Sequence, residues 1–156
     1  MRDREKTEYF AVHCSATPPD RDIGRAAIDR MHRRRGWSMI GYHLIIRRNG
    51  RVEPGRPLYA QGAHVRGFND VAIGVCLIGG VNTAGDPEDN FTAQQFDSLR
   101  GVLDFLWLIW PEAEARGHRD FSPDLDGDGK IEAHEWLKMC PCFDVAEFLG
   151  TALSAA

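Results

Sequence analysis

The residues with the most chemistry in them lie between Gly117 and Asp144, in the stretch GHRDFSPDLDGDGKIEAHEWLKMCPCFD. Within it, Asp124, Asp126, Asp128, Gly129, Lys130, Glu132 and Glu135 fit the pattern D-x-D-x-D-G-x5-E. That spacing wraps a loop around a calcium ion. It offers carboxylates at Asp124, Asp126 and Asp128, the backbone carbonyl of Lys130, a water held by Glu132, and both oxygens of Glu135. Gly129 falls at the sharp turn, and Ile131 is expected to pin the loop to the core. No clear helix precedes the loop and no second copy follows it, so a paired calcium sensor is not expected. Softer ligands flank the loop: His118 before it, and Lys138, Cys140 and Cys142 after it. An imidazole and a thiolate suit zinc, but two ligands do not make a site. A third must come from elsewhere in the chain.

The elements that would position these residues can be read in order. Residues 9–14 (YFAVHC) form an expected strand that ends at Ser-Ala-Thr-Pro-Pro. Alternation puts His13 on the opposite face from Val12 and Cys14, as a packed residue or as a ligand. Helical spacing of Ile23, Ala27 and Met31 predicts a helix over 23–35, closed by Gly36. Arg33, Arg34 and Arg35 then meet the negative end of its dipole as a solvated helix end, with contact to an anionic substrate as the lesser alternative. Residues 42–46 and 51–53, joined by Asn49-Gly50, read as a hairpin. Tyr42 and His43 should face opposite sides, so at most one reaches a given site. Residues 59–69 read as a surface loop carrying His64. Residues 72–78 read as a buried strand, with Cys76 a small core residue.

Thr92 and Gln95 make a capping-box pattern at the start of a helix over 92–109. Its apolar stripe runs through Phe96, Leu99, Val102, Leu103, Leu106 and Trp110. Phe105, Trp107 and Leu108 widen that stripe and predict cover on more than one side. Residues 115–117 are expected to form a short strand delivering His118, residues 133–139 a short helix, and residues 143–153 a final helix.

Composition narrows the function classes. At 156 residues, with 43% hydrophobic and 27% charged side chains, the chain reads as one domain spanning 1–156. A net charge of −4 argues against a broad nucleic-acid-binding face. The four cysteines are too few and too uneven for a disulfide framework, which fits reduced thiols made in the cytoplasm. The first ten residues, MRDREKTEYF, do not read as a signal peptide, and no apolar run is long enough for membrane insertion.

Five segments in order complete the picture: His13-Cys-Ser-Ala-Thr, Gly41-Tyr42-His43, Gly74-Val-Cys-Leu-Ile-Gly-Gly80, Gly117-His118-Arg-Asp120 and Cys140-Pro-Cys-Phe-Asp144. Together they resemble the type 2 N-acetylmuramoyl-L-alanine amidases, and within them the small phage lysozyme-like zinc amidases. The resemblance covers nearly the whole chain. It implies an α/β fold, with a mixed central sheet flanked by helices and a zinc cleft at one edge. It also implies a peptidoglycan hydrolase, a phage endolysin that reaches the cell wall in the periplasm after release and works as a monomer.

Matched position by position, the zinc ligands are His13, His118 and Cys140, and the catalytic side chains are Tyr42 and Lys138. His64 and Asn69 match a stretch near the cleft and are candidates for substrate contact. Cys142 departs from the family, which carries a small residue such as serine there, and Cys140 is preferred over it as ligand. The calcium-type loop is an addition, inserted between two zinc ligands. If Glu135, Lys138 and Cys140 share a short helix, calcium held by Glu135 would brace that helix. Two other readings compete: a peptidoglycan-binding module without catalysis, whose relatives lack the Cys ligand, and a calcium-regulated interaction protein.

Overall fold

The computed structural model describes residues 2–153, with side chains described through Gly150. One mixed sheet organises them, built from β1 (Tyr9–Cys14), β2 (Leu44–Ile46), β3 (Val52–Pro54), β4 (Ala72–Leu77) and β5 (Glu114–Gly117). Its strand order is β3-β2-β4-β1-β5. β1 lies between β4 and β5 and runs parallel to both, and β2 runs parallel to β4. Only β3 is antiparallel, as the second arm of the Asn49-Gly50 hairpin.

Period-two alternation divides the sheet into two faces. Phe10, Val12, Ile46, Ile73, Val75 and Leu77 pack under α2 (Ala93–Ile109), through Leu99, Val102, Leu103 and Leu106. Phe143 and Val145, at the start of α3 (Val145–Leu153), close the same core. On the other face, Ile45 and Ile78 meet Ile28 of α1 (Arg25–Arg34), and Ala11 and Ala72 pack with Val65. His13 belongs to this second face, one step along from Val12.

The capping box at Thr92 and Gln95 forms as expected, with Thr92 Oγ1 accepting from Gln95 N and Gln95 Oε1 from Thr92 N. Gln95 also donates its side-chain amide to the carbonyls of Ile46 and Ile78, so the first turn of α2 is tied to the sheet. The expected cover on more than one side of α2 does not occur. Trp107 packs inward, but Phe105 is 52% exposed and Leu108 85% exposed. The sheet and α3 cover one side of α2, and its opposite side meets solvent.

The second correction concerns 133–139. Only a 3-10 turn, Ala133–Glu135, forms there, and Trp136 leaves it with extended backbone. The backbone donor that would open a helical ladder, Leu137 N towards the carbonyl of Ala133, is committed elsewhere: it donates to Ser122 Oγ at 3.0 Å. Glu135 and Lys138 therefore do not share a helix turn. Ile131 is half-exposed and lies outside the core clusters, so the expected pinning is not seen.

Buried polar groups on the second face are paired. His43 is fully buried, with Nδ1 accepting from Gly74 N at 2.9 Å and Nε2 donating to the carbonyl of Ala60 at 2.9 Å. Burial is the largest cause holding its pKa down to about 4. An unfolded histidine titrates near 6.5, so between these values the unfolded chain binds more protons than the folded one. Stability is thus fully present at neutral pH and falls as pH drops from about 6.5 towards 4, by roughly 3 kcal/mol for this one group. Denaturant unfolding at pH 7 and pH 4.5 should show that loss. His43→Gln, although weaker at neutral pH, should lose less over the same interval; an unchanged slope would refute the assignment.

Candidate metal centre

The register of the sheet builds the site. β1 and β5 pair with Val12 opposite Gly117, so the next residues of the two strands, His13 and His118, emerge side by side. Their ring centroids are 4.6 Å apart. This is the carboxyl end of parallel strands, where open α/β sheets place their ligands. Gly117 is needed here, because a Cβ would sit 2.9 Å from Pro141 Cδ and 3.1 Å from Asp120 Oδ2. The same Asp120 oxygen accepts from Gly117 N at 2.8 Å.

Cys140 comes from the segment after the acidic loop. Arg119 anchors that segment: its guanidinium pairs with Asp144 at 2.9 Å and lies 4.0 Å over the Trp136 ring. Cys14 N donates to Cys140 Sγ at 3.1 Å, fixing the sulfur against the end of β1.

One nitrogen each of His13 and His118 and the sulfur of Cys140 lie within 4.8 Å of one another. The donor set suits zinc. Bonds of about 2.1 Å to nitrogen and 2.3 Å to sulfur in a tetrahedron place those ligands roughly 3.6 Å apart. His13 Nδ1 and Cys140 Sγ are 3.8 Å apart. Both imidazoles are neutral at pH 7, with lone pairs free to bind. Burial, then neighbouring His64 and His118, hold His13 far below the usual histidine range, and burial, then Lys138, holds His118 at about 4.

Cys142 does not join them. Its thiol turns away and donates to the carbonyl of Gly80 at 3.2 Å. Its proton is held firmly, first by the thiol of Cys14 and then by burial.

Tyr42 and Lys138 flank the cluster. The Tyr42 ring lies 5.0 Å from that of His13, and burial, then the Cys76 thiol, keep its hydroxyl protonated well above the normal range. Tyr42 thus reaches the site and His43 does not, as alternation required. Lys138 is exposed on the rim, where its charge bears on both His13 and His118. A groove of about 510 Å³ opens beside the cluster, walled by Arg35, Trp37, Arg66, Asn69, Phe121 and Lys138. The sequence reading of Arg35 is a solvated helix end, with contact to an anionic substrate as its alternative; Arg66 carries no signal beyond its place two residues after His64.

His64 and Asn69 also line the groove, with Asn69 Oδ1 and both ring nitrogens of His64 engaged inside the wall. Asn69 Oδ1 accepts from the backbone of His64 at 2.7 Å and of Val65 at 3.0 Å. The His64 ring nitrogens meet His13 and the carbonyl of Ala72. In the acidic loop, Asp124, Asp126 and Glu135 bring one carboxylate oxygen each within 4.8 Å of the others, whereas Asp128, Lys130 and Glu132 stand outside that trio.

The N-acetylmuramoyl-L-alanine amidase family model matches residues 3–133, ending before Lys138 and Cys140. The endolysin of Enterobacteria phage K11 is 43% identical over 148 residues, which cover 95% of this chain and 89% of that protein. The endolysin of Escherichia phage T7 is 40% identical over 145 residues, 93% of this chain and 87% of that one. Among solved structures, the endolysin N-acetylmuramoyl-L-alanine amidase LysCS from Clostridium intestinale superposes with a TM-score of 0.72 at 26% identity, covering 98% of this chain and 85% of its own. Drosophila PGRP-LB shares the fold, with a TM-score of 0.68 at 22% identity, over 90% of this chain and 78% of its own. The chain belongs to the N-acetylmuramoyl-L-alanine amidase family. It is an enzyme of that class, a hydrolase of the amide bond between N-acetylmuramic acid and L-alanine.

The two thiols near the cluster have different fates. Metal analysis of purified Cys142→Ser should give the parent's zinc content, and Cys140→Ser should have lost it. The reverse pattern would exchange their roles.

Proposed function

We propose that the chain is a zinc-dependent endolysin that cuts the stem peptide of peptidoglycan from its glycan, with His13, His118 and Cys140 as zinc ligands. The observation that carries this reading is the convergence of those three donors, from two strand ends and a distant loop, at the head of an open groove. Zinc held by His13, His118 and Cys140 would supply Lewis acidity, to activate water as the nucleophile and to polarise the amide carbonyl.

The chain's own groups do the rest. The amide carbonyl gains negative charge as it is attacked, and the amine must leave with a proton. Lys138 brings a cation to the rim of the cluster, where it stabilises that oxygen. Tyr42 brings a hydroxyl that keeps its proton at working pH, suited to orienting the water or protonating the amine. Arg35 and Arg66 make the groove wall cationic, which suits the carboxylates of a peptide stem. The enzyme works alone, as a monomer, on walls reached after the membrane is breached.

Wall-lysis assays on zinc-loaded variants test this. Lys138→Met and Tyr42→Phe should each lower kcat by roughly 100-fold or more while retaining zinc. The variant that loses the limb of the pH profile belonging to a proton donor identifies which residue protonates the amine. Lysis by Cys140→Ala at the parent's rate would overturn the reading.

The same reading includes a structural calcium ion in the loop of Asp124, Asp126, Asp128, Lys130, Glu132 and Glu135. Its support is the ligand spacing, the close approach of the Asp124, Asp126 and Glu135 carboxylates, and the turn at Gly129, whose φ is +85°. The brace would act on the base of the loop. Glu135, itself buried, accepts from the backbone of Leu125 and Glu132, and the bond from Leu137 to Ser122 closes the loop just before Lys138. With zinc retained, calcium should raise the melting temperature of the parent and leave that of Glu135→Gln unchanged. Equal melting of the parent in calcium and in a calcium-selective chelator would remove the ion from this account.

A further inference from the structure

The two hydrogen bonds of the His64 ring decide which nitrogen of His13 carries a proton. His13 has one nitrogen facing the cluster: Nδ1, 3.8 Å from Cys140 Sγ. The other, Nε2, lies 3.1 Å from His64 Nδ1. One of those two nitrogens must donate and the other accept. The far side of His64 decides which. Its Nε2 lies 3.3 Å from the carbonyl of Ala72, which can only accept. His64 Nε2 therefore carries the hydrogen, and a neutral imidazole has only one. His64 Nδ1 is left with a lone pair, His13 must donate Nε2–H to it, and the Nδ1 lone pair of His13 points at the metal position.

The surroundings hold the His64 ring in this pose. A Cβ on Gly62 would lie 2.4 Å from the ring, and one on Gly74 would lie 2.7 Å from it, so both glycines are required by its slot. Asn69 Oδ1 fixes the backbone of His64 and Val65. The His43 ring, pinned between Gly74 and Ala60, stands edge-on at 5.5 Å.

We infer that His64 is a positioning residue for the metal centre rather than a substrate contact: it sets the tautomer and ring orientation of His13 through a relay from the Ala72 carbonyl. The inference rests on the reading of His13 as a zinc ligand. A partner of this kind also raises the basicity of the ligating nitrogen, and losing one typically weakens metal binding 10–100-fold.

Two measurements test it. The first is the tautomer of His13 in the metal-free parent, read from its ring 15N shifts and two-bond couplings. The hydrogen should be on Nε2, and a hydrogen on Nδ1 would overturn the relay without any variant being made. The second is zinc affinity by competition with a chromophoric chelator. His64→Phe keeps the ring volume but not the acceptor and should bind zinc 10–100-fold more weakly. His64→Asn, which places an amide oxygen near the position of Nδ1, should recover most of that loss. Recovery by Phe and not by Asn would make His64 a space-filling residue and refute the proposal. If the parent binds no zinc, the zinc reading fails separately, and the tautomer still judges the His13–His64 bond.

Discussion

The site depends on one pairing, that of β1 with its two parallel neighbours. A strand's side chains change face with every residue, so a slip of one position would bury the wrong half of β1. With Val12 opposite Gly117 and His13 opposite Cys76, His13 near the end of β1 and His118 just past the end of β5 come side by side. The register is held by the core on the far face, where Phe10 and Val12 pack with Ile73 and Val75 under α2. Packing on one face of the sheet thereby fixes ligand geometry on the other. Cys140 is added to this pair by tertiary bonds from Arg119 and Cys14, not by any regular element.

Imidazoles dominate the ligand face. Five of the chain's six histidines, all except His134, lie on it or at its rim, and burial depresses the pKa of each. Buried polar groups are tolerated when paired, and His13, His32, His43 and His64 each have a hydrogen-bond partner. His43 donates to Ala60 and accepts from Gly74, and His32 Nδ1 accepts from Gly41 N. Neutral rings in fixed tautomers present lone pairs without first shedding protons, which is what a zinc site asks of its ligands.

The sheet, its strands and the capped helix α2 were legible in the sequence because local rules decide them: alternation, the Asn-Gly turn and the capping box all agree with the final packing. The gathering of His13, His118 and Cys140 was legible only through resemblance, since 105 residues separate the first two and periodicity says nothing about which strands become neighbours. The helix over 133–139 failed for the opposite reason. Its local pattern was adequate, but Ser122 took the hydrogen bond from Leu137 N that a helix would have used. His64 sat in a stretch that looked like open loop. Its inward orientation comes from Gly62 and Gly74, two glycines on different elements whose shared task appears only in three dimensions.

Residues 119–139, with the acidic loop among them, make a long excursion between His118 and Cys140. Loop-closure entropy grows only slowly with length, so extra residues between two ligands cost little if the ends stay fixed. Here the ends are fixed independently of the loop. Leu137 is bonded to Ser122 at its base, and beyond the base Arg119 ties down both the Cys140 carbonyl and Asp144. The cluster of His13, His118 and Cys140 therefore inherits its geometry from the sheet and from Arg119, and not from the acidic loop. What that loop reaches is Lys138, one residue past the closing bond, exposed, and outside any helix. An ion in the loop would thus bear on the placement of the cation at the rim more than on the ligands. On the proposed reading, that would separate a device tuning catalysis from the metal centre making it possible.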